Sequence, residues 1–285
     1  MLSILIPTYN YNAYSLAKEI HDQASLENIN FEIICIDDGS NSKLNNDNQK
    51  INTLKYASFQ ANKKNIGRSA IRNLLAKQAK FKFLLFLDSG TYPKGKNYIK
   101  KYIKLTNKSV VFGGMSYIRE FPPSPFKLRW IYTKKRERKK GIHSCNFLIK
   151  KKIFENIKFD ESLFNYGYED VLFFNTLKKE HITIDKIDNP VVHMADDDAL
   201  SFIKKNEDAI HNLINLIEIG KLDKNLVGIS KYYYKLRRVN LDKFLMYFFK
   251  LTKPILKNNL TSNHPSLIIF DFYRLGYYCL LKNNK

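Results

Sequence analysis

Phe31-Glu-Ile-Ile-Cys-Ile-Asp-Asp-Gly-Ser40 is a strand-forming run that stops abruptly at two carboxylates and a turn-forming glycine. The same pattern opens the chain, where Leu2 to Ile6 leads into Pro7-Thr8-Tyr9-Asn10, and it returns at Phe81 to Leu87, which leads into Asp88-Ser89-Gly90. Such short, β-rich apolar runs suit strands covered on both faces, and the gaps between them are long enough for crossover helices. That is parallel-sheet spacing. One gap shows its helix directly: Ile66, Ala70, Ile71, Leu74 and Leu75 recur at helical intervals and predict a helix over 67–79. The first half therefore reads βαβαβ. Neither a Gly-x-Gly-x-x-Gly after the first strand nor a Gly-Lys-Ser/Thr loop is present, so the common dinucleotide and P-loop routes to a nucleotide gain no support.

Further out the texture changes. Phe121-Pro-Pro-Ser-Pro125 cannot continue a central strand, and Lys134-Lys-Arg-Glu-Arg-Lys-Lys140 is a dense basic run, so 121–141 is expected to be an exposed mobile loop. After Asn189-Pro190 the sequence turns helical, with Ala199 to Gly220 amphipathic and Leu226 to Tyr278 rich in Tyr, Phe, Lys and Arg. A boundary near residue 200 follows, giving an α/β domain over 1–200 and a helical region over 201–285.

Composition narrows the class. The 285 residues are 44% hydrophobic and 26% charged, which excludes disordered, collagenous and low-complexity chains. A formal charge of +21 favours an anionic partner: nucleic acid, an acidic membrane surface or a phosphorylated substrate. Cys35, Cys145 and Cys279 are too few and too scattered for a disulfide framework or a zinc site, which fits a reducing cytoplasm. No signal peptide is apparent after Met1, and Leu267 to Leu281 is interrupted by Asp271 and Arg274, so no transmembrane helix is expected.

Four polar clusters follow apolar runs or open a helix: Pro7-Thr8-Tyr9-Asn10, Asp37-Asp38-Gly39-Ser40, Asp88-Ser89-Gly90 and Gly167-Tyr168-Glu169-Asp170. In an open parallel sheet, ligands bind at the carboxyl ends of strands, where a carboxylate can accept from a base N–H or a ribose hydroxyl. Each cluster also has a plainer reading. Asp, Gly and Ser punctuate turns and cap helices, and acids in a first helical turn complement the dipole.

In order and spacing, across roughly residues 2–195, these clusters resemble the family 2 glycosyltransferases with the GT-A fold. Ser3-Ile-Leu-Ile-Pro-Thr-Tyr-Asn10 resembles the family's opening strand, Ile36-Asp-Asp-Gly-Ser40 its nucleotide-binding acid pair and Asn65-Ile-Gly-Arg-Ser-Ala-Ile-Arg-Asn73 its phosphate-side helix. Phe86-Leu-Asp-Ser-Gly90 falls where the family carries Asp-x-Asp, and Cys145-Asn-Phe-Leu-Ile-Lys150 resembles the strand facing the donor sugar. Phe159-Asp-Glu161 through Gly167-Tyr-Glu-Asp170 resembles the catalytic segment, with His193 at the late metal-ligand position.

The resemblance implies a Rossmann-like, mostly parallel sheet flanked by helices. It implies an inverting transfer from a nucleotide sugar, usually of UDP, to a hydroxyl of a glycan or lipid-linked saccharide in surface polysaccharide synthesis. Pro7, Thr8, Tyr9, Asp37, Asp38, Gly67, Arg68, Arg72, Asp88 and Ser89 would hold the nucleotide. Asp170 would be the general base, with Glu169, Asn146, Gly167 and Tyr168 around the sugar or acceptor and Gly167 letting backbone approach the substrate. Asp88 and His193 would hold Mn²⁺ or Mg²⁺, but Gly90 replaces the second acid of Asp-x-Asp and weakens that expectation.

Two rivals stay open at this point: a degenerate GT-A domain that binds without turnover, and a basic membrane- or nucleic-acid-binding protein. No nucleic-acid module is evident, so nucleic acid is not an expected partner. Lys231-Tyr-Tyr-Tyr-Lys-Leu-Arg-Arg238 and Phe244-Leu-Met-Tyr-Phe-Phe-Lys-Leu-Thr-Lys253 mix aromatic and basic residues, as interfacial helices do. A cytoplasmic protein, peripheral on the inner face of the cell membrane, is the expectation; a packed helical subdomain with a solvated basic face is the alternative.

Overall fold

A computed structural model of the protein describes residues 1–138, 142–164 and 166–284. The chain divides into two compact units. The first comprises Met1–Ile118, Glu137–Phe164 and Glu169–Met194, and the second Arg119–Arg136, Asn165–Tyr168 and Ala195–Lys285.

The first unit runs β1 (Leu2–Thr8), α1 (Tyr14–Ser25), β2 (Phe31–Asp37), a short α2 (Asn45–Asn48), β3 (Ala57–Ala61), α3 (Arg68–Gln78), β4 (Phe83–Leu87) and β5 (Thr91–Pro93). It continues through α4 (Tyr98–Ile103), β6 (Val110–Phe112) and β7 (Met115–Tyr117). α5 (Lys127–Tyr132) belongs to the second unit, and the first resumes with β8 (Asn146–Lys150), α6 (Lys151–Asn156), α7 (Glu169–Lys179), β9 (Ile184–Lys186) and β10 (Val191–His193).

Among the described residues the main sheet has the order β3-β2-β1-β4-β8-β6-β9, and a smaller sheet has the order β5-β10-β7. In the main sheet β1 is parallel to β2 and β4, β2 to β3 and β6 to β9, and of its described strands β8 alone runs against its neighbours. The expected strands and the crossover helix are present, the helix as α3.

The period of two divides each central strand between two cores. Ile4, Ile6, Ile33, Cys35, Leu85 and Leu87 enter one, packed with Leu16, Ile20, Tyr98 and Tyr102. Leu5, Ile34, Ile36, Leu84 and Phe86 enter the other, with Ile71, Leu75 and Phe173. A sheet buried on both faces follows, which is why its strands read as almost continuous apolar runs. The second core is aromatic: Phe86 stacks on Phe147 at 4.8 Å and Phe159 on Phe173 at 4.2 Å.

The second unit is helical. Besides α5 it contains α8 (Ala199–Glu218), α9 (Gly228–Arg238), α10 (Leu241–Leu260) and α11 (Leu267–Asn283). Asp198 caps α8 by accepting from Ser201 N at 2.9 Å, and Leu128, Phe202, Phe249, Phe270 and Tyr273 meet in its core.

The mobile loop expected over 121–141 is corrected in its middle. α5 and one wider helical turn over Thr133–Glu137 occupy that stretch, because Leu128 and Trp130 are buried and Arg129 folds back to donate to Thr133 Oγ1 at 2.8 Å. Residues 139–141 of the expected loop lie outside the described residues.

α10 and α11 approach closely at Gly276, where a Cβ would lie 2.6 Å from the Phe249 ring. Gly276→Ala is expected to destabilise the protein by roughly 1–3 kcal/mol through overpacking. Calorimetry checks this; an unchanged thermal midpoint would show that the Phe249 ring moves aside without cost.

Candidate active site

β1 is the point at which the sheet order reverses: the chain leaves it for β2 and β3 on one side and returns to β4 on the other. Carboxyl ends of strands at such a reversal leave a crevice in which open α/β sheets bind ligands. Thr8 and Asp37 end β1 and β2 in register, Asp88 follows β4, and Asn146 begins the antiparallel β8 opposite Leu87.

Asp37 and Asp38 are buried and already engaged. Asp37 accepts from Ser40 N (2.9 Å), Ser40 Oγ (2.7 Å) and Asn45 Nδ2 (3.0 Å), which fixes the turn after β2. Asp38 accepts from Ile66 N and Gly67 N, both at 2.9 Å, and so ties the end of β2 to the start of α3. Burial raises the Asp38 carboxyl above its ordinary range, against the opposing pull of those two N–H groups. Gly67 enters α3 at φ +90°, a conformation that favours glycine. At the end of β1, Thr8 is buried and donates to Tyr11 O at 3.3 Å, Pro7 is half-buried and Tyr9 is exposed.

Arg68 and Arg72 lie one turn apart on α3 and reach the same carboxylate. Arg72 Nη2 meets Asp88 Oδ1 at 2.6 Å and Arg68 Nη2 lies 3.5 Å from Oδ2. Arg68 Nε also donates to Glu169 Oε1 at 2.8 Å, in the first turn of α7. Two guanidinium groups and two carboxylates thus join α3, the end of β4 and the start of α7. The two arginines differ in access: the Arg72 side chain is 2% exposed and that of Arg68 39%. Arg72 also donates to Arg68 O and faces the Phe159 ring, while its Nε has no hydrogen-bond partner. Ser89, next to Asp88, is half-buried.

Asp170 adjoins Glu169 on α7. Its Oδ1 accepts from Val171 N at 2.7 Å, and its Oδ2 lies 3.8 Å from His143 Nδ1. Sequence reasoning did not single out His143, which sits in no recognisable motif; only the fold of the segment before β8 brings it to Asp170.

One expectation is corrected. Asn146 is fully buried: its Oδ1 accepts from Tyr98 OH and Tyr102 OH, and its Nδ2 donates to Gly114 O (2.8 Å) and Asn189 O (3.0 Å). An amide has two donors and two acceptor sites, so none remains for a sugar. Gly167 lies at φ +108°, and a Cβ there would be 2.3 Å from Ala209 Cβ on α8, so the close approach of α8 already calls for glycine at this position. Tyr168 groups with Gly167 in the second unit, where its hydroxyl accepts from Arg274 Nη2 at 3.4 Å.

For a metal, the chain supplies little of its own. His193 ends β10 in register with Thr91, and the next amide, Met194 N, donates to Gly90 O at 3.2 Å. Asp88 and His193 are therefore brought together, but both Asp88 oxygens face guanidinium groups and position 90 offers no side chain. Among the described residues, no group of three or more His, Cys, Asp or Glu gathers as metal ligands do. This donor set does not fit a cation held by the protein alone.

A mostly parallel α/β sheet with these groups at its carboxyl ends, followed by C-terminal helices, has the architecture of the GT-A glycosyltransferases. The sequence matches glycosyl transferase family 2 over residues 3–161, and the chain belongs to that family. Among solved structures, the mannosyltransferase PcManGT from Pyrobaculum calidifontis, in complex with GDP-Man and Mn²⁺, is 12% identical with a TM-score of 0.58, covering 100% of this chain and 88% of that one. TarS of S. aureus is 22% identical with a TM-score of 0.49, covering 75% of this chain and 40% of that one; this chain thus spans less than half of that TarS chain. TarS 1–349 in complex with UDP is 18% identical with a TM-score of 0.47, covering 100% and 92%. Likeness at these identities is one of fold. No curated protein matches.

Burial alone would raise the Asp88 carboxyl, but Arg72 and Arg68 outweigh it and hold the group below its ordinary range. The charged form is thus favoured by folding, so Asp88 adds stability above its unfolded pKa and loses it as pH falls through the lower folded value. Arg72→Met should cost roughly 3 kcal/mol at neutral pH, near the low end for breaking a buried pair because Asp88 is partly exposed. It should also flatten the acid-linked loss of stability below about pH 4. Urea denaturation of both proteins across acid pH checks this, and equal pH slopes would show that other groups hold Asp88.

Proposed function

We propose that this chain is an inverting transferase that moves a glycosyl group from a nucleoside diphosphate sugar to a hydroxyl of a glycan or lipid-linked saccharide, as in the building of surface polysaccharide. The observation that carries the reading is the meeting of Arg68, Arg72, Asp88 and Glu169 at the strand ends, with Asp170 beside Glu169. Nucleotide sugars bound by structural neighbours, GDP-Man in PcManGT and UDP-GlcNAc in TarS 1–349, set the range of donors to examine. Uridine is the first choice because it is the family's usual nucleotide.

Asp170 accepts the proton of the acceptor hydroxyl as that oxygen bonds to the anomeric carbon. The bond from that carbon to the diphosphate breaks on the opposite face, and its electron pair leaves with the nucleoside diphosphate. His143 steadies the Asp170 carboxylate. Arg68, the more exposed of the two guanidinium groups, meets the negative charge that grows on the diphosphate, while Arg72 holds Asp88 in place beneath it. Asp37 and Asp38 shape the loop against which the base rests. A divalent cation would have to be held by Asp88 and His193 together with the donor's own phosphate oxygens, and would add Lewis-acid neutralisation of the diphosphate.

A panel of UDP and GDP sugars, assayed for nucleotide release with and without acceptor saccharides, tests the reading. Turnover with at least one donor is expected; binding without release of any would reduce the chain to a nucleotide- or glycan-binding domain. Asp170→Asn should lower turnover by at least ~10² while nucleotide affinity stays within a few-fold. Turnover near the parent's would move the base elsewhere. Gly90→Asp should tighten Mn²⁺ binding by adding a charged oxygen ligand, whatever its effect on rate. Isothermal titration reads this directly, and unchanged affinity would mean that position 90 points away from the cation.

A further inference from the structure

α10 is apolar on two opposite sides. One side buries Met246, Phe249 and Leu260 within the second unit. The other carries Leu241, Phe244, Tyr247, Phe248, Leu251 and Ile255, which are 46–79% exposed. At ~100° per residue these six occupy about a third of the helix circumference along most of its length. Beside the stripe, Lys243, Lys250 and Lys257 follow one another at seven-residue intervals and form a row along one edge.

We propose that this face of α10 lies in the interface of an anionic lipid bilayer, its apolar stripe among the upper acyl chains and its lysine row against phosphate headgroups. Apolar area explains the attraction to a hydrocarbon boundary, and charge selects the kind of boundary. α9 and α10 together carry eight Lys and Arg between Lys231 and Lys257 against one acid, Asp242, which is buried and accepts from Asn283. The outward charge of these two helices is therefore all positive. A second copy meeting this face would set like charge against like, whereas a surface bearing phosphates complements it. Among the described residues, no helix is long and apolar enough to cross a membrane, so the stripe fits a helix lying in the interface.

The 285-residue chain is to be co-sedimented with vesicles of phosphatidylcholine alone and of phosphatidylcholine mixed with phosphatidylglycerol. Binding to the anionic vesicles is expected, weakened by salt but not abolished, because only the electrostatic part is screened. Phe244→Ser/Leu251→Ser/Ile255→Ser should lower the partition coefficient at least roughly tenfold, and Lys243→Gln/Lys250→Gln/Lys257→Gln should remove most of its salt dependence. All six side chains are outward or flank the stripe, and far-ultraviolet circular dichroism verifies that both variants fold. Nucleotide release from donor sugar without vesicles should be unchanged in both, so failure here is separate from failure of the transferase reading. Absence of parent binding to anionic vesicles, or equal binding by the serine variant, overturns the proposal. Self-association of the parent that the serine variant abolishes, with no vesicle binding, would instead assign the face to a second copy.

Discussion

The row of charge from Arg72 through Asp88 and Arg68 to Glu169 is the constraint around which the first unit is organised. A carboxylate following a buried strand needs compensation, and two guanidinium groups one helical turn apart on α3 provide it. That need fixes which face of α3 looks toward β4, and through Arg68 it fixes where α7 begins. Asp170 is positioned as a consequence, because it follows Glu169 in the same first turn. Breaking the row would therefore displace the proposed base without touching it directly.

Asp38 supports the same arrangement from the other side. By accepting from the Ile66 and Gly67 amides it sets the entry of α3, and with it the height at which Arg68 and Arg72 reach the crevice. Asp37 does the equivalent for the turn after β2. Acids that look in sequence like ligand contacts thus also build the loop. The two roles are compatible, since carboxylates that bind a ligand must themselves be held in position.

What could be read from the sequence is what has a period or a short range. The strands ending at Thr8, Asp37 and Leu87 and the helix over Arg68–Gln78 were legible because apolar spacing alone specifies them. The convergence of Asp88 with Arg68 and Arg72 was legible only as motif order. Asn146 was misjudged because its partners, Tyr98, Tyr102, Gly114 and Asn189, are distant in sequence, and nothing local shows that its amide is saturated. His143 was invisible for the same reason. α5 was missed because prolines before it and basic residues after it outweighed Leu128 and Trp130, whose burial depends on the rest of the second unit.

The distribution of charge separates two tasks. In the crevice, every cation named above has an acid against it, so the groups there are arranged for orientation more than for bulk attraction. The unbalanced positive charge lies elsewhere, and α9 and α10 hold a concentrated share of it with their one acid buried. A uniformly positive crevice would bind any polyphosphate and release product slowly; paired guanidinium groups hold position and present less net field. Excess charge placed on an outer helix face can instead gather the protein on an anionic surface without altering selectivity at the strand ends. A chain with a net charge of +21 can in this way keep its proposed chemistry specific while its long-range electrostatics serve location.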